Sequence, residues 1–195
     1  MSDVQENYGI NIRKCKHFAT LFLADTPLSI YARIGFEGNN DGEKVKVDRL
    51  NHAFTVTVRE IAYKYVCFTT TDTIVINDEG KVHFYVLSEQ LLEPLSLTQN
   101  GKEVAFKVKN NYLYAPSGEY EFSYVYMPKI DTDMEWLPYA PRLTEHIIAL
   151  GTCANYCLMS GLYSEANAFD SAYKEALAGI NKTFIKRSVK KRRWL

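Results

Sequence analysis

A chain of 195 residues is long enough to bury one sizeable core, and 47% apolar with 24% charged residues excludes the disordered and collagen-like classes. No run approaches the roughly 18 apolar residues that cross a bilayer, and the polar start Met1–Tyr8 lacks the basic and apolar segments of a secretory signal, so use in a cytoplasm is expected. Formal charge cancels overall but not locally: Lys182 to Leu195 holds seven basic residues and no acidic one, while residues 1–181 hold 16 basic and 23 acidic residues.

In chain order, residues 16–34 (KHFATLFLADTPLSIYARI) contain short apolar stretches that suggest one or two short helices with a break before Pro27. FEGNNDGEK, residues 36–44, reads as an exposed loop. From Val45 to Val66, the residues Val47, Leu50, Phe54, Val58, Ile61 and Tyr65 recur at steps of three and four, which predicts a helix. The β-branched run Thr55–Val58 weakens its local preference.

From Thr69 to Pro128 the period becomes two, and the stretch reads as a small antiparallel β-meander of three hairpins. The first is DTIVIN and KVHFYVL around NDEGK, the second LSLT and EVAFKVK around QNGK, and the third NYLYA and YEFSYVYM around PSGE. After a proline-rich linker the helical period returns. Leu143, Ile147, Leu150, Ala154, Cys157, Leu158 and Gly161 mark one helix. Ala166, Phe169, Ala172, Tyr173, Ala176, Leu177 and Ile180 mark a second, with Ser164 as the expected N-cap. The short join SGLYS makes the two an antiparallel pair over 140–181. The expected class is α+β: N-terminal helices over 16–66, a β-meander over 69–128 and the helix pair, forming one domain of residues 1–181 with a basic arm at 182–195.

Chemistry-bearing patterns are sparse. The phosphate loop, the dinucleotide fingerprint, the nucleophile elbow and the H-E-x-x-H zinc motif are all missing from the sequence. Cys153 and Cys157 share a helical face two turns from His146, yet no second cysteine pair accompanies them, so they are expected to be small buried residues. The four cysteines are few and scattered, which predicts free thiols. His17, His52, His83 and His146 fall in different predicted elements, with no identifiable nucleophile partner. Asp131, Asp133 and Glu135 read as a solvated acidic loop, or as a contact for a basic segment.

The terminal arm is the main candidate site. Lys182, Lys186, Arg187, Lys190, Lys191, Arg192 and Arg193 supply charge, and Phe184, Ile185, Val189, Trp194 and Leu195 supply apolar anchors, a composition suited to a segment that orders on docking. The acidic remainder disfavours binding of nucleic acid by the body of the protein.

Three segments carry a resemblance: the helix VDRLNHAFTVTVREIAYKYVCF running into TTTDTIVI, the tyrosine-rich segment FSYVYMPKI before WLP, and the closing pair RLTEHIIALGTCANYCLMSGLYSEANAFDSAYKEALAGI. In this layout, across residues 18–181, the chain resembles the head-to-tail adaptors of short-tailed bacteriophages, the tail tubular protein A family. The resemblance implies a structural virion protein of the neck, assembled in the host cytoplasm, with no catalytic residue, cofactor, metal or membrane contact. It further implies a ring of twelve copies matching the portal protein, its other face on the tail nozzle or tail tube, and DNA passing through the centre without sequence specificity. The arm 182–195 would then dock on the portal or a neighbouring copy. Another tail-completion or accessory capsid protein, an enzyme with an unrecognised site, and a nucleic-acid-associated protein using the basic arm are the alternatives.

Overall fold

The computed structural model describes residues 9–25, 27–30, 41–130, 134–138, 140 and 142–181. The loop expected at 36–40, Asp131, Asp133 and the whole arm 182–195 lie outside the described residues.

The class is α+β. Helix α1 (Ile12–Phe22) starts four residues before the predicted helical segment because Asn11 caps it, its Oδ1 accepting from the Lys14 amide at 2.9 Å. It closes in a Schellman turn, with Ala24 at φ 52° and the Asp25 amide donating to the Thr20 carbonyl at 3.2 Å. Asp25 then accepts from the Leu28 amide and from Lys46 Nζ, which starts the short helical turn at Pro27 and ties it to the next helix.

Helix α2 (Asp41–Lys64) is 24 residues long. Its start corrects the predicted loop, since Asp41–Lys44 form its first turn, where Asp41 and Glu43 suit the positive end of the helix dipole. The threonines that weaken the propensity are accommodated: Thr55 and Thr57 donate back to the carbonyls of Asn51 and Ala53.

The sheet corrects the meander. Strand β2 (Phe68–Ile76) pairs with β8 (Gly118–Met127), about 50 residues downstream, in the antiparallel register Phe68↔Tyr126 to Ile76↔Gly118. Strand β4 (Gln90–Gln99) lies on the other side of β8, with register shifts beside Leu92 and Leu95 that flank Pro94. The second predicted hairpin forms only at its turn, where β5 (Lys102–Glu103) pairs with β4 around Asn100–Gly101, giving the order β2-β8-β4-β5, while the rest of EVAFKVK leaves this sheet. A second sheet, β3-β7-β6, contains β3 (Lys81–His83), β6 (Lys107–Lys109) and β7 (Tyr112–Tyr114). Neither the first nor the third predicted hairpin pairs: β3 leaves β2 for β7, and β7 pairs with β6 across Asn110–Asn111, both at positive φ. Phe84–Val86, expected as strand, form a 3-10 turn after His83, whose Nδ1 accepts from the Tyr85 amide. A short pair joins β1 (Gly9–Asn11) to β9 (Trp136–Pro138).

Helices α3 (Glu145–Met159) and α4 (Tyr163–Asn181) form the predicted pair. Thr144 caps α3, whereas Ser164 is not a cap but the second residue of α4. The physical reason lies at Gly161, whose φ of 75° closes a Schellman turn, with the Leu162 amide on the Cys157 carbonyl, so that α4 starts at once. Helix α3 is the centre of the helical part and is buried on more than one face, from Ile148 to Cys157. Two adjoining apolar clusters divide the interior. One gathers Phe54, Val58 and Ile61 of α2 with Phe68, Phe122 and Tyr124 of the sheet and Tyr173 and Leu177 of α4. The other gathers Val47, Leu50 and Ala53 with Ala19, Leu28, Cys153 and Tyr156.

Candidate docking surfaces

The turn between α3 and α4 exposes an apolar corner. Because Gly161 reverses the chain within a few residues, Leu158 (55% exposed), Met159, Leu162 and Tyr163 (66% exposed) all project outward. Leu158 therefore leaves the buried stripe that the helical period assigned to it. The corner is held against α2, since Arg49 Nη1 donates to Ser160 Oγ at 2.9 Å and its guanidinium lies over the Tyr156 ring at 5.9 Å.

A second, smaller exposed apolar site lies on the turn that follows β3. Tyr85 is 81% exposed, Val86 beside it is exposed, and the β6 residue Val108 is exposed as well. The turn that carries Tyr85 is anchored from both sides. His83 packs its ring on Tyr85 and edge-on to Tyr112. On the other side, Asp72 of β2 accepts from the Ser88 amide at 2.7 Å, from Ser88 Oγ at 2.8 Å and from the Tyr124 hydroxyl at 2.8 Å. Burial works to raise the Asp72 pKa, but the bonds from Ser88 and Tyr124 outweigh it and hold the carboxyl below its ordinary range. The serine sits directly on the carboxylate, so the cluster secures the segment at 84–89.

The remaining sequence candidates are dispersed. Cys15, Cys153 and Cys157 are buried free thiols and Cys67 is an exposed one. Burial pushes the Cys153 and Cys157 thiols up, and Cys153 donates to the Ala19 carbonyl at 3.3 Å, as small packed residues do. His146 is exposed with its ring edge-on to Phe22, His52 is exposed on α2, and His17 has a buried Nδ1 with no partner among the described residues. Among the described residues no three His, Cys, Asp or Glu side chains gather to hold a metal ion. Glu135 faces Arg13 at 3.5 Å. Also among the described residues, no helix is long and apolar enough to cross a membrane. The twelve arm residues named above, from Lys182 to Leu195, lie outside the described residues. The two apolar surfaces escaped the periodicity, although the run LMSGLY, apolar residues crowded on either side of a turn glycine, carries a visible signal for the first.

No protein-family profile matches the chain, and no characterised protein is similar to it at a significant level.

Proposed function

We propose that the protein is a structural connector of a phage virion, a head-to-tail adaptor that joins a portal ring to the tail with DNA passing through the assembled ring. The observation that carries this reading is the presence of two separate exposed apolar surfaces on one fold, as a part that must grip two different neighbours requires. The α3–α4 corner lies beside Arg49 of α2, whereas the sheet packs on residues from Phe54 onward, one to three helical turns further along. Exposed side chains clustered in this way are a recurrent mark of protein contact sites. A stable contact buries about 800 Å² per partner. Four corner side chains fall short of that area, and the arm with its five apolar and seven basic residues would supply the rest. The order of elements, in which the sequence resembles the adaptor family, supports the same assignment.

The test is the mass and image of the purified protein, alone and mixed with portal particles, by light scattering and electron microscopy. Rings, or portals carrying a regular layer of the protein, are expected. Leu158→Asp should abolish the layer while changing stability by no more than about 0.5 kcal/mol, because the side chain is already exposed. A protein that stays monomeric and ignores portals would end the connector reading.

A further inference from the structure

A groove of about 240 Å³ runs between α2, α3 and α4. Glu60 of α2, Asn155 and Leu158 of α3, and Asp170 and Tyr173 of α4 line it, and Leu158 belongs to the apolar corner as well. Its volume is below the ~300–1,000 Å³ of sites for drug-sized molecules and suits one long side chain. Tyr173 is only 3% exposed, yet its hydroxyl has no hydrogen-bond partner among the described residues. An orphaned hydroxyl at the wall of a groove costs free energy unless something in the groove bonds to it.

The character of the missing partner follows from the walls. Burial first, then the carboxylates of Glu60 and Asp170, pushes the Tyr173 hydroxyl up, and those two carboxylates make the groove favour a cation. Each wall carboxylate is engaged by one lysine of its own helix: Lys64 Nζ meets Glu60 Oε1, and Lys174 Nζ meets Asp170 Oδ2. These are pairs of the weak, exposed i,i+4 kind, and each leaves a second carboxylate oxygen for another donor. Asn155 commits its amide nitrogen to Thr57 and Gly151, which leaves its carbonyl to accept. A guanidinium, flat and with five donors, matches this spread of acceptors better than an ammonium does.

We propose that in the free chain this groove holds the chain's own C-terminal arm, with Arg187 between Glu60 and Asp170 and the end of the arm on the apolar corner. Reach favours the chain's own arm. From Tyr173 to Asn181 the helix spans about 12 Å, and the six residues from Asn181 to Arg187 extend up to about 20 Å, enough to return to the groove. Order favours it as well. An arm running back along α4 meets the carboxylates first and Leu158, Leu162 and Tyr163 next, and the arm carries its arginine at 187 before Trp194 and Leu195. Exposed charge pairs of about 0.2–1 kcal/mol each fall short of the roughly 4 kcal/mol that docking at the millimolar effective concentration of a short tether requires, and apolar contact of Trp194 and Leu195 with the corner supplies the remainder. The inference does not depend on the connector reading, because it concerns the free chain alone.

The test uses the full chain at micromolar concentration, as an equal mixture of unlabelled and ¹⁵N-labelled protein, joined by a carbodiimide and read by mass spectrometry. Cross-links from Lys182, Lys186, Lys190 or Lys191 to Glu60 or Asp170 are expected, with both ends of each carrying the same isotope. A second readout is the emission of Trp194 in a Trp136→Phe background. Replacing both carboxylates, Glu60→Gln with Asp170→Asn, should weaken docking about fivefold and move that emission to longer wavelength, with the circular dichroism spectrum unchanged. Cross-links that join light to heavy chains would overturn the proposal by assigning the groove to another copy's arm. The absence of arm-to-groove cross-links, or an emission indifferent to the double substitution, would overturn it too.

Discussion

Gly151→Ala tests the arrangement of the three long helices at their tightest point. A Cβ at residue 151 would stand 2.6 Å from Thr57 Cγ2 of α2, and 2.8 and 2.9 Å from the Tyr173 ring of α4. Neither neighbour is a loose chain end. Thr57 donates to the Ala53 carbonyl at 2.8 Å and accepts from Asn155 at 3.0 Å, and Tyr173 is closed in on its helix face. Alanine is favoured over glycine inside a helix by about 1 kcal/mol, while overpacking a tight site costs about 1–3 kcal/mol. With both neighbours fixed the upper part of that range applies, and the net loss should be about 2 kcal/mol. Urea unfolding of the full chain measures it as a lower midpoint at unchanged slope. Thr57→Ser removes the methyl that makes the shortest contact, so the double variant should recover about 1 kcal/mol relative to additivity. A Gly151→Ala protein as stable as the parent would refute the close approach of α3 to α2 and α4.

Asp72 links the sheet to pH. Its pKa in the folded chain is lowered from the ordinary 3.8, so it contributes stability that is complete above that value and lost as the pH falls through the lower, folded one. Acid unfolding should therefore show a loss of stability below about pH 4 that is smaller in Asp72→Asn, and equal acid sensitivity in the two proteins would contradict it. At neutral pH, Asp72→Ala should cost about 1–3 kcal/mol, because the Tyr124 hydroxyl and the Ser88 amide lose their acceptor. Thiol titration of the native protein should find one fast cysteine, Cys67, with Cys15, Cys153 and Cys157 reacting only on unfolding, and fast labelling of Cys153 would contradict its burial.

Much of the helical part was legible because its cause is local and periodic. The α2 residues Val47, Leu50, Phe54, Val58 and Ile61, and the α4 residues Ala166, Tyr173, Leu177 and Ile180, are buried as their spacing indicates. The single stripe failed on α3, where helices close in from several sides and Thr152 and Cys153 are buried along with Ile148 and Cys157. It failed again at Leu158, where the chain turns before the stripe ends. Strand pairing was the larger miss. A turn such as NDEGK bends the chain, but it does not choose a partner, and β2 pairs with β8 across the intervening strands because Tyr120, Phe122, Tyr124 and Tyr126 cover the same core as Ile74 and Ile76. The Asn110–Asn111 turn carried its own signal, since asparagine tolerates positive φ, and the period-two pattern on either side obscured it. As for the site, the arm's charge was evident in composition, whereas the groove joins residues 60, 155 and 170, and only the packed helices bring these together.

Tyr173→Phe separates an empty groove from an occupied one without altering a charge. If the hydroxyl is unpartnered, removing it relieves a buried polar group and should stabilise the chain by about 1 kcal/mol. If an arm arginine bonds to it, the same substitution loses that bond and the gain vanishes. Salt selects between the two states in one molecule, because about 0.5 M salt shortens the screening length to a few ångströms and should release an arm held by exposed charges. The ring and its contact with Gly151 remain in the variant, so packing contributes equally at both salt concentrations. The expected result for the full chain is near-zero stabilisation by Tyr173→Phe at low salt and about 1 kcal/mol at high salt, read from urea midpoints of variant and parent in parallel. Salt effects on the rest of the protein cancel in that difference. Equal stabilisation at both salt concentrations would mean that nothing bonds to the hydroxyl, and the arm would then have to find its place elsewhere.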